Sequence, residues 1–214
     1  MRKFFEIGGL LAAVVLIAFG IGAIALGIDG RSTVRDSLQL EQIVGSDDMT
    51  PALIAADAKK AGLPASLELP TVDIAGKPID TGDRARAFAS YMRIHTLEAT
   101  GGLTYAQMGR FATPDGAAKG TNDPAAAQKG PDGEPMTNGA RNIWVTETAL
   151  TTALNTSYMA EKTALFGIVV GIALLLSGFG FAILAVGGAL RNPSHALTFG
   201  KRGPKTARTP VPVA

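Results

Sequence analysis

His95 and Glu98 are the residues of this chain whose types and spacing come nearest to a chemical site. On a helix, residues three positions apart lie side by side, so an imidazole and a carboxylate with this spacing can share a metal ion. One such pair does not complete a metal site, and the only other histidine is His195, near the C-terminus. We therefore expect His95 to be an ordinary packed or surface histidine, and we predict no bound metal and no cofactor.

Other patterns that indicate catalysis are weak or missing in the sequence. The chain has no cysteine, which excludes disulfides, thiolate chemistry and cysteine-ligated metals. No G-x-S-x-G sequence occurs, so the nucleophile motif of many hydrolases is missing. The acidic pair Asp47-Asp48 lacks the spaced oxygen ligands of a calcium-binding loop. The sequence therefore favours a protein that is not an enzyme.

Two long uncharged segments dominate the architecture around these residues. Residues 7–28 form a run of 22 residues without a charge, and residues 163–190 form a run of 28. As helices rising about 1.5 Å per residue, the runs extend about 33 Å and about 42 Å, and a bilayer core is about 30 Å thick. We therefore predict two transmembrane helices, a location in the plasma membrane, and the lipid bilayer as one partner.

Charge is distributed unevenly around the two segments. Residues 29–162 carry 17 acidic and 13 basic residues, whereas the two ends carry seven basic residues and one acidic residue. Arg2 and Lys3 precede the first segment and Arg191 follows the second, and cytoplasmic flanks are enriched in such residues. We therefore predict that both termini are cytoplasmic, with a basic disordered tail over residues 191–214, and that the middle domain is extracytoplasmic. Because the basic residues flank membrane segments, the pI of 9.0 does not indicate nucleic-acid binding.

The first segment also has features of a cleavable signal peptide. Basic residues precede it, and Ala23-Ile24-Ala25 resembles a small-residue cleavage site. The apolar stretch before this site is longer than the usual length of about 7–15 residues, which favours an uncleaved anchor. Either outcome leaves the middle domain outside the cytoplasm.

Capping signals predict two helices in the middle domain. Thr50 and Thr81 are suited to cap helices over residues 51–61 and 82–100, and Gly62 is suited to end the first of them. The apolar positions of the second helix recur near helical spacing at Ala85, Phe88, Ala89, Met92 and His95. A third, short helix is predicted to follow Thr104.

The rest of the middle domain divides into a loop and a long helix. Residues 112–139 are rich in glycine and proline and have almost no large apolar residue, so we predict a flexible loop. Residues 141–162 have helical periodicity and lead into the second segment, which predicts one unbroken helix from about Asn142 to Leu190. The predicted fold class is mainly α: two transmembrane helices flank a small helical extracytoplasmic domain, and the second span, residues 163–190, is continuous with a long extracytoplasmic helix.

Small residues recur at four-residue spacing in both uncharged segments. Gly167 and Gly171 form a G-x-x-x-G that Gly178 follows, and Gly9 and Ala13 have the same spacing in the first segment. Such residues let helix backbones approach closely in lipid. Because both segments carry the pattern, we expect them to pair within the chain rather than to form a homodimer. Neither segment contains a charge, so the sequence predicts no proton relay or ion path.

Three parts of the sequence carry a resemblance to other proteins. They are residues 33–38, residues 43–45 with 48–51, and residues 87–109 with Tyr91, His95, Glu98, Gly101-Gly102 and Tyr105. Over most of residues 1–190 the chain resembles a group of uncharacterised two-pass membrane proteins of high-GC Gram-positive bacteria. Some proteins of this group carry a name that means aromatic ring-opening dioxygenase. The resemblance implies a two-pass architecture and no known activity, and one external histidine cannot build a two-histidine, one-carboxylate iron site.

The expected function is interaction rather than catalysis. We predict a non-enzymatic integral membrane protein that acts as a scaffold or accessory subunit of an envelope or membrane complex and binds a membrane or envelope protein. The candidate interaction surface comprises Tyr91, His95, Glu98 and Tyr105. The alternative is a sensor or signalling adaptor that relays an external signal through the second span to the tail, and an enzyme ranks third.

Overall fold

The computed structural model describes residues 2–187, with the side chains of Arg2 and Lys3 excepted. The fold is mainly α: 63% of the described residues are helical, and these residues contain no strand. Four α-helices follow in chain order: α1 (Arg2–Leu40), α2 (Pro51–Lys60), α3 (Gly82–Ala99) and α4 (Gly139–Val186). The predicted tail over residues 191–214, His195 and the predicted end of the second segment at Leu190 lie outside the described residues.

α1 and α4 are long and apolar enough to cross a membrane. Both extend well beyond the uncharged runs, because α1 continues to Leu40 and α4 begins at Gly139. α4 contains 48 residues without a break, which confirms one continuous helix from Asn142 to Val186, and its start lies three residues closer to the N-terminus than predicted. Many large apolar side chains of the two uncharged runs are exposed, as Phe19 and Phe166 illustrate with 69% and 67% of their surface exposed.

The chain forms two compact units, and the first comprises the N-terminal part of α1 up to Ile24 and the part of α4 from Val169. Within it the two helices meet at glycines. A Cβ atom built on Gly20 would lie 2.8 Å from the carbonyl oxygen of Gly171, and one built on Gly171 would lie 2.8 Å from the carbonyl oxygen of Gly20. Only glycine permits this backbone approach.

Of the predicted packing residues in this first unit, Ala13, Gly171 and Gly178 lie along the same contact. Gly9 and Ala13 are buried, and a Cβ on Gly178 would lie 3.1 Å from the carbonyl oxygen of Ala13. Gly171 makes the contact described above, whereas Gly167 belongs to the second unit and is only half-buried. Gly20 lies at this contact, although it was not predicted to do so, because the residues four positions before and after it, Leu16 and Ile24, are not small.

The second unit, residues 25–168, has a core built around α3. The largest fully buried side chains there are those of Tyr91, Ile54, Ile74, Ile79, Ile94 and Thr100. Leu38 of α1 and Leu154 of α4 are buried in the same cluster. α3 is therefore surrounded by other elements along much of its length.

Both predicted helix caps are present in this unit. The Thr50 side chain accepts a hydrogen bond from the backbone N–H of Leu53 at the start of α2, and the Thr81 side chain accepts one from Arg84 at the start of α3. Gly62, which has a φ of +68°, follows α2 in the left-handed conformation that ends many helices. These local signals placed the helix bounds to within one residue.

The buried face of α3 is broader than the predicted one. Ala85 and Ala89 are buried as expected, but Phe88, Met92 and His95 are only half-buried. The structure buries further side chains on the opposite flank, namely Ala87, Tyr91, Ile94 and Leu97. The prediction of a single apolar stripe was wrong because α3 packs against neighbours on more than one side.

The segment between α2 and α3 contains no strand and forms an extended connection. Isolated bridges join Val44 to Pro78 and Gly45 to Ala75. The backbone N–H of Gly45 donates to the carbonyl of Lys77 at 3.0 Å, and its own carbonyl accepts from Gly76 at 2.8 Å. These bonds tie the segment that follows α1 to the residues that lead into α3.

The segment predicted as a flexible loop is exposed but cross-connected. Phe111 exchanges backbone hydrogen bonds of 2.9 Å with Thr121 in both directions. The Asn138 side-chain amide donates to the carbonyls of Gly109 at 3.1 Å and Ala118 at 2.9 Å. Backbone pairing rather than apolar burial organises this loop, which is why composition alone did not show its form.

Candidate functional site

The residues around His95 form a small polar cluster on the second unit. The Nδ1 atom of His95 lies 3.1 Å from a carboxylate oxygen of Glu98, and its Nε2 atom lies 3.5 Å from a carboxylate oxygen of Asp48. Their side chains are 31%, 21% and 46% exposed respectively. The turn before α2 thus brings Asp48 to the predicted pair. In residues 2–187 no group of three or more such side chains is arranged to hold a metal ion.

Tyr91 is not part of this surface, which corrects the predicted set. Its side chain is fully buried, and its hydroxyl donates a 3.0 Å hydrogen bond to the carbonyl of Val72. Burial, with a smaller contribution from the charge of Asp73, raises the pKa of Tyr91 above its ordinary value. Tyr91 therefore holds the connection between α2 and α3 against α3.

Tyr105 is exposed and lies against the start of α4. Its ring centroid is 4.1 Å from the guanidinium carbon of Arg141, the geometry of a cation–π contact. Next to this contact, Trp144 is buried, and its Nε1–H donates to the carbonyl of Leu103 at 2.8 Å. Tyr105 is thus placed by the turn after α3 and by α4, separately from the polar contacts of His95.

A charged cluster around Glu161 is the most connected polar feature of the second unit. One carboxylate oxygen of Glu161 lies 3.0 Å from Nε of Arg31 and 3.1 Å from a terminal nitrogen of Arg35. The other oxygen accepts a 2.6 Å hydrogen bond from the backbone N–H of Gly82, the first residue of α3. Glu161 therefore links α1, α3 and α4 through a side chain that is only 8% exposed.

Opposing influences act on the protonation of Glu161. Burial favours the neutral form, but the hydrogen bonds from Gly82, Arg31 and Arg35 and the charge of Arg35 favour the carboxylate more strongly. Together they lower the pKa of Glu161 below its ordinary value. The carboxylate is therefore charged throughout the neutral range and holds both arginines.

This cluster was not predicted from the sequence. Two signals were present: Arg31 and Arg35 share one face of a helix at four-residue spacing, and Glu161 lies seven residues after the buried Leu154. A carboxylate that continues a buried helix seam requires a partner, and two basic residues on a neighbouring helix supply it. The distance of 126 to 130 positions along the chain hid this pairing.

An apolar groove of about 570 Å³ lies beside the core of the second unit. Its walls come from the end of α1, from α3 and from α4, and include Leu38, Phe88, Met92, Leu150 and Leu154. The groove contains no catalytic constellation, because its polar lining consists of Ser37, Glu41 and Ser157. It is a concave apolar surface of the kind that accepts hydrophobic groups.

Comparisons with protein-family models, with curated proteins and with solved structures found no match to this chain.

Proposed function

We propose that this chain is a non-enzymatic integral membrane protein that holds a helical interaction domain outside the plasma membrane, as a scaffold or accessory subunit of an envelope or membrane complex. The observation that carries the proposal is that α1 and α4 each consist of two parts of different character. Each helix combines an apolar run with exposed large side chains and a polar part whose residues enter the core of residues 25–168. Lipid is the solvent that suits the apolar runs.

The predicted topology follows from the basic flanks. Arg2 and Lys3 before the first run, and Arg191 with the basic tail after the second, favour cytoplasmic termini. Residues 29–162 then face the opposite side of the membrane. The basic tail also suits the anionic surface of the cytoplasmic leaflet.

Single cysteines test this topology sharply because the chain has none of its own. Ser66 is exposed in the second unit, and Ser194 belongs to the predicted tail. A membrane-impermeant thiol reagent on intact cells should label Ser66→Cys and spare Ser194→Cys until the cells are permeabilised. Labelling of the tail alone would reject the proposed orientation, and purification without detergent would reject the membrane location.

Two polar features support the interaction role and are the proposed contact sites for a partner protein. Asp48, His95 and Glu98 form one half-exposed cluster, and Tyr105 with Arg141 forms the other. Aromatic and arginine side chains are enriched where proteins bind each other. The revised surface therefore keeps His95, Glu98 and Tyr105 of the predicted set and replaces Tyr91 with Asp48.

Photo-crosslinking tests this surface in cells. A photoreactive amino acid in place of Asp48 or Tyr105 should capture the same membrane or envelope protein in repeated experiments. The matched control is a photoreactive residue in place of Asp115, which is exposed in the loop before α4. If the test positions capture nothing beyond the control, the scaffold role is rejected.

The continuity of α4 favours a second candidate, a sensor or signalling adaptor. One helix carries Trp144, which is buried against the turn after α3, and continues to Val186. A rotation or shift of such a helix transmits a change along its length. In this case a photoreactive residue at Thr206 in the tail should capture a cytosolic signalling protein, and failure to do so would favour the scaffold.

A further inference from the structure

A small cleft of the second unit has the composition of an anion-binding site. We propose that Arg31, Ser32 and Arg35 bind the phosphate group of an anionic phospholipid, with the apolar side chains of Ile28 and Ile168 against the start of its acyl chains. This inference rests on the proposed membrane location and names a lipid class for it. The shared chemistry is that of a phosphate group, whether it belongs to a lipid or is free in solution.

The cleft is open and has a volume of about 240 Å³. Its lining consists of Ile28, Arg31, Ser32, Arg35 and Ile168, and no acidic side chain lines it among the residues described. The side chains of Arg31 and Arg35 are 38% and 41% exposed, so both guanidinium groups reach solvent. A ligand therefore enters without displacing another part of the chain.

The charge of the cluster is favourable for an anion. Two arginines share the single carboxylate of Glu161, which leaves a net charge of +1. A guanidinium has five N–H donors, and the contacts with Glu161 use Nε of Arg31 and Nε and one terminal nitrogen of Arg35. The remaining donors have the planar geometry that binds phosphate oxygens in pairs.

Glu161 acts here as a positioning residue. Its buried carboxylate, fixed by the N–H of Gly82, holds both guanidinium groups on one side of α1. Because the contact with Glu161 already restricts both arginine side chains, they lose less rotational freedom when a ligand binds. A smaller loss of freedom favours higher affinity. The ion cluster therefore prearranges the donors.

The position along both helices indicates lipid rather than a soluble anion. Ile28 is the last residue of the first uncharged run, and Arg31 and Arg35 follow it by one and two helical turns. Ile168 lies within the second uncharged run. Ile28 and Ile168 belong to the uncharged runs, and the arginines lie just beyond the first run. This order matches the boundary between the acyl chains and the headgroups of a bilayer.

Two acidic residues lie near the cleft on α1. Ser32 donates a long hydrogen bond of 3.4 Å to Asp36, and Asp29 is exposed one turn earlier. Neither carboxylate is part of the lining. The exposed hydroxyl of Ser32 can exchange this weak contact for one to a phosphate oxygen.

The test measures lipid retention by the full-length protein. The protein is reconstituted in nanodiscs of phosphatidylcholine alone or mixed with phosphatidylglycerol, then released and examined by native mass spectrometry. The wild type should retain phosphatidylglycerol in preference to phosphatidylcholine. Arg31→Lys with Arg35→Lys keeps the charge and the contact with Glu161 but loses the paired donors, and should lower this preference about tenfold.

Two further variants separate binding from folding and from general charge. Ser32→Trp fills the cleft from an exposed position and leaves every charge in place, so it should also lower the preference. Lys162→Gln removes one basic residue near the same level, outside the cleft, and should retain the wild-type preference. Equal retention in all four proteins would overturn the proposal.

Two additional results distinguish the sources of phosphate and the two proposals. Binding of inorganic phosphate in detergent, with the same dependence on Arg31 and Arg35 but no lipid preference, would overturn the lipid assignment. If the cysteine labelling of Ser66 and Ser194 gives the predicted pattern while lipid retention is unselective, only this inference fails. If the labelling pattern is reversed, the proposed topology fails first.

Discussion

The carboxylate of Glu161 accepts a 2.6 Å hydrogen bond from the backbone N–H of Gly82, across 79 positions of the chain. This bond joins the first residue of α3 to α4, just before the apolar run begins. An N–H at a helix N-terminus has no partner within its helix, and the partial positive charge there favours an anion. With Arg31 and Arg35 on its other oxygen, Glu161 connects three helices at one point.

Removal of the Glu161 side chain should destabilise the second unit. Glu161→Ala leaves the N–H of Gly82 and two half-exposed arginines without their partner, which we expect to cost about 1–3 kcal/mol. Glu161→Gln preserves the shape and one acceptor and should cost less. Thermal unfolding of the purified protein followed by circular dichroism measures both, and an unchanged midpoint for Glu161→Ala would refute the role.

Acid should remove the same contribution. Because the pKa of Glu161 is lower in the folded chain than its ordinary value of 4.5, the folded state favours the carboxylate. Its stabilisation is fully present above the unfolded pKa and is lost as the pH falls through the folded pKa. The unfolding midpoints of the wild type and Glu161→Gln should therefore converge as the pH falls below 4.5 and through the folded-state pKa of Glu161. A constant difference down to the lowest pH would contradict this linkage.

The glycine contact of the first unit gives a prediction with built-in controls. Gly20→Ala and Gly171→Ala each place a methyl group 2.8 Å from a carbonyl oxygen of the other helix, and should destabilise the protein by about 1–3 kcal/mol. Gly22→Ala and Gly180→Ala meet no atom within 4 Å. They should leave the unfolding midpoint unchanged or raise it, since alanine favours helix. Equal effects at all four positions would show that this contact does not form.

The two tyrosines of the predicted surface should respond differently to loss of the hydroxyl. Tyr91→Phe removes the hydrogen bond to the carbonyl of Val72 inside the core and should cost about 1 kcal/mol. Tyr105→Phe alters an exposed ring and should be neutral in stability. Chemical unfolding in detergent compares the two variants. A larger loss of stability for Tyr105→Phe than for Tyr91→Phe would contradict the burial of Tyr91 in the core.

Local signals in the sequence were sufficient for the bounds of α2 and α3. Thr50 before Pro51, and Gly62 after Lys60, set α2 because capping depends on residues a few positions apart. The same holds for Thr81 at the start of α3. The buried faces of α3 could not be predicted in the same way. Tyr91 is buried by the connection between α2 and α3, and the local sequence pattern does not specify the path of that connection.

The sequence by itself determined that two helices are long and apolar enough to cross a membrane, because that property depends only on composition along a continuous segment. Which glycines meet was decided by tertiary structure, since Gly20 and Gly22 differ only in the face they present to the other helix. The meeting of Glu161 with Arg31 and Arg35 was likewise decided there. A charge pair separated by 126 to 130 residues leaves no periodic trace in the sequence, because its energy depends on distance in space and not on position in the chain.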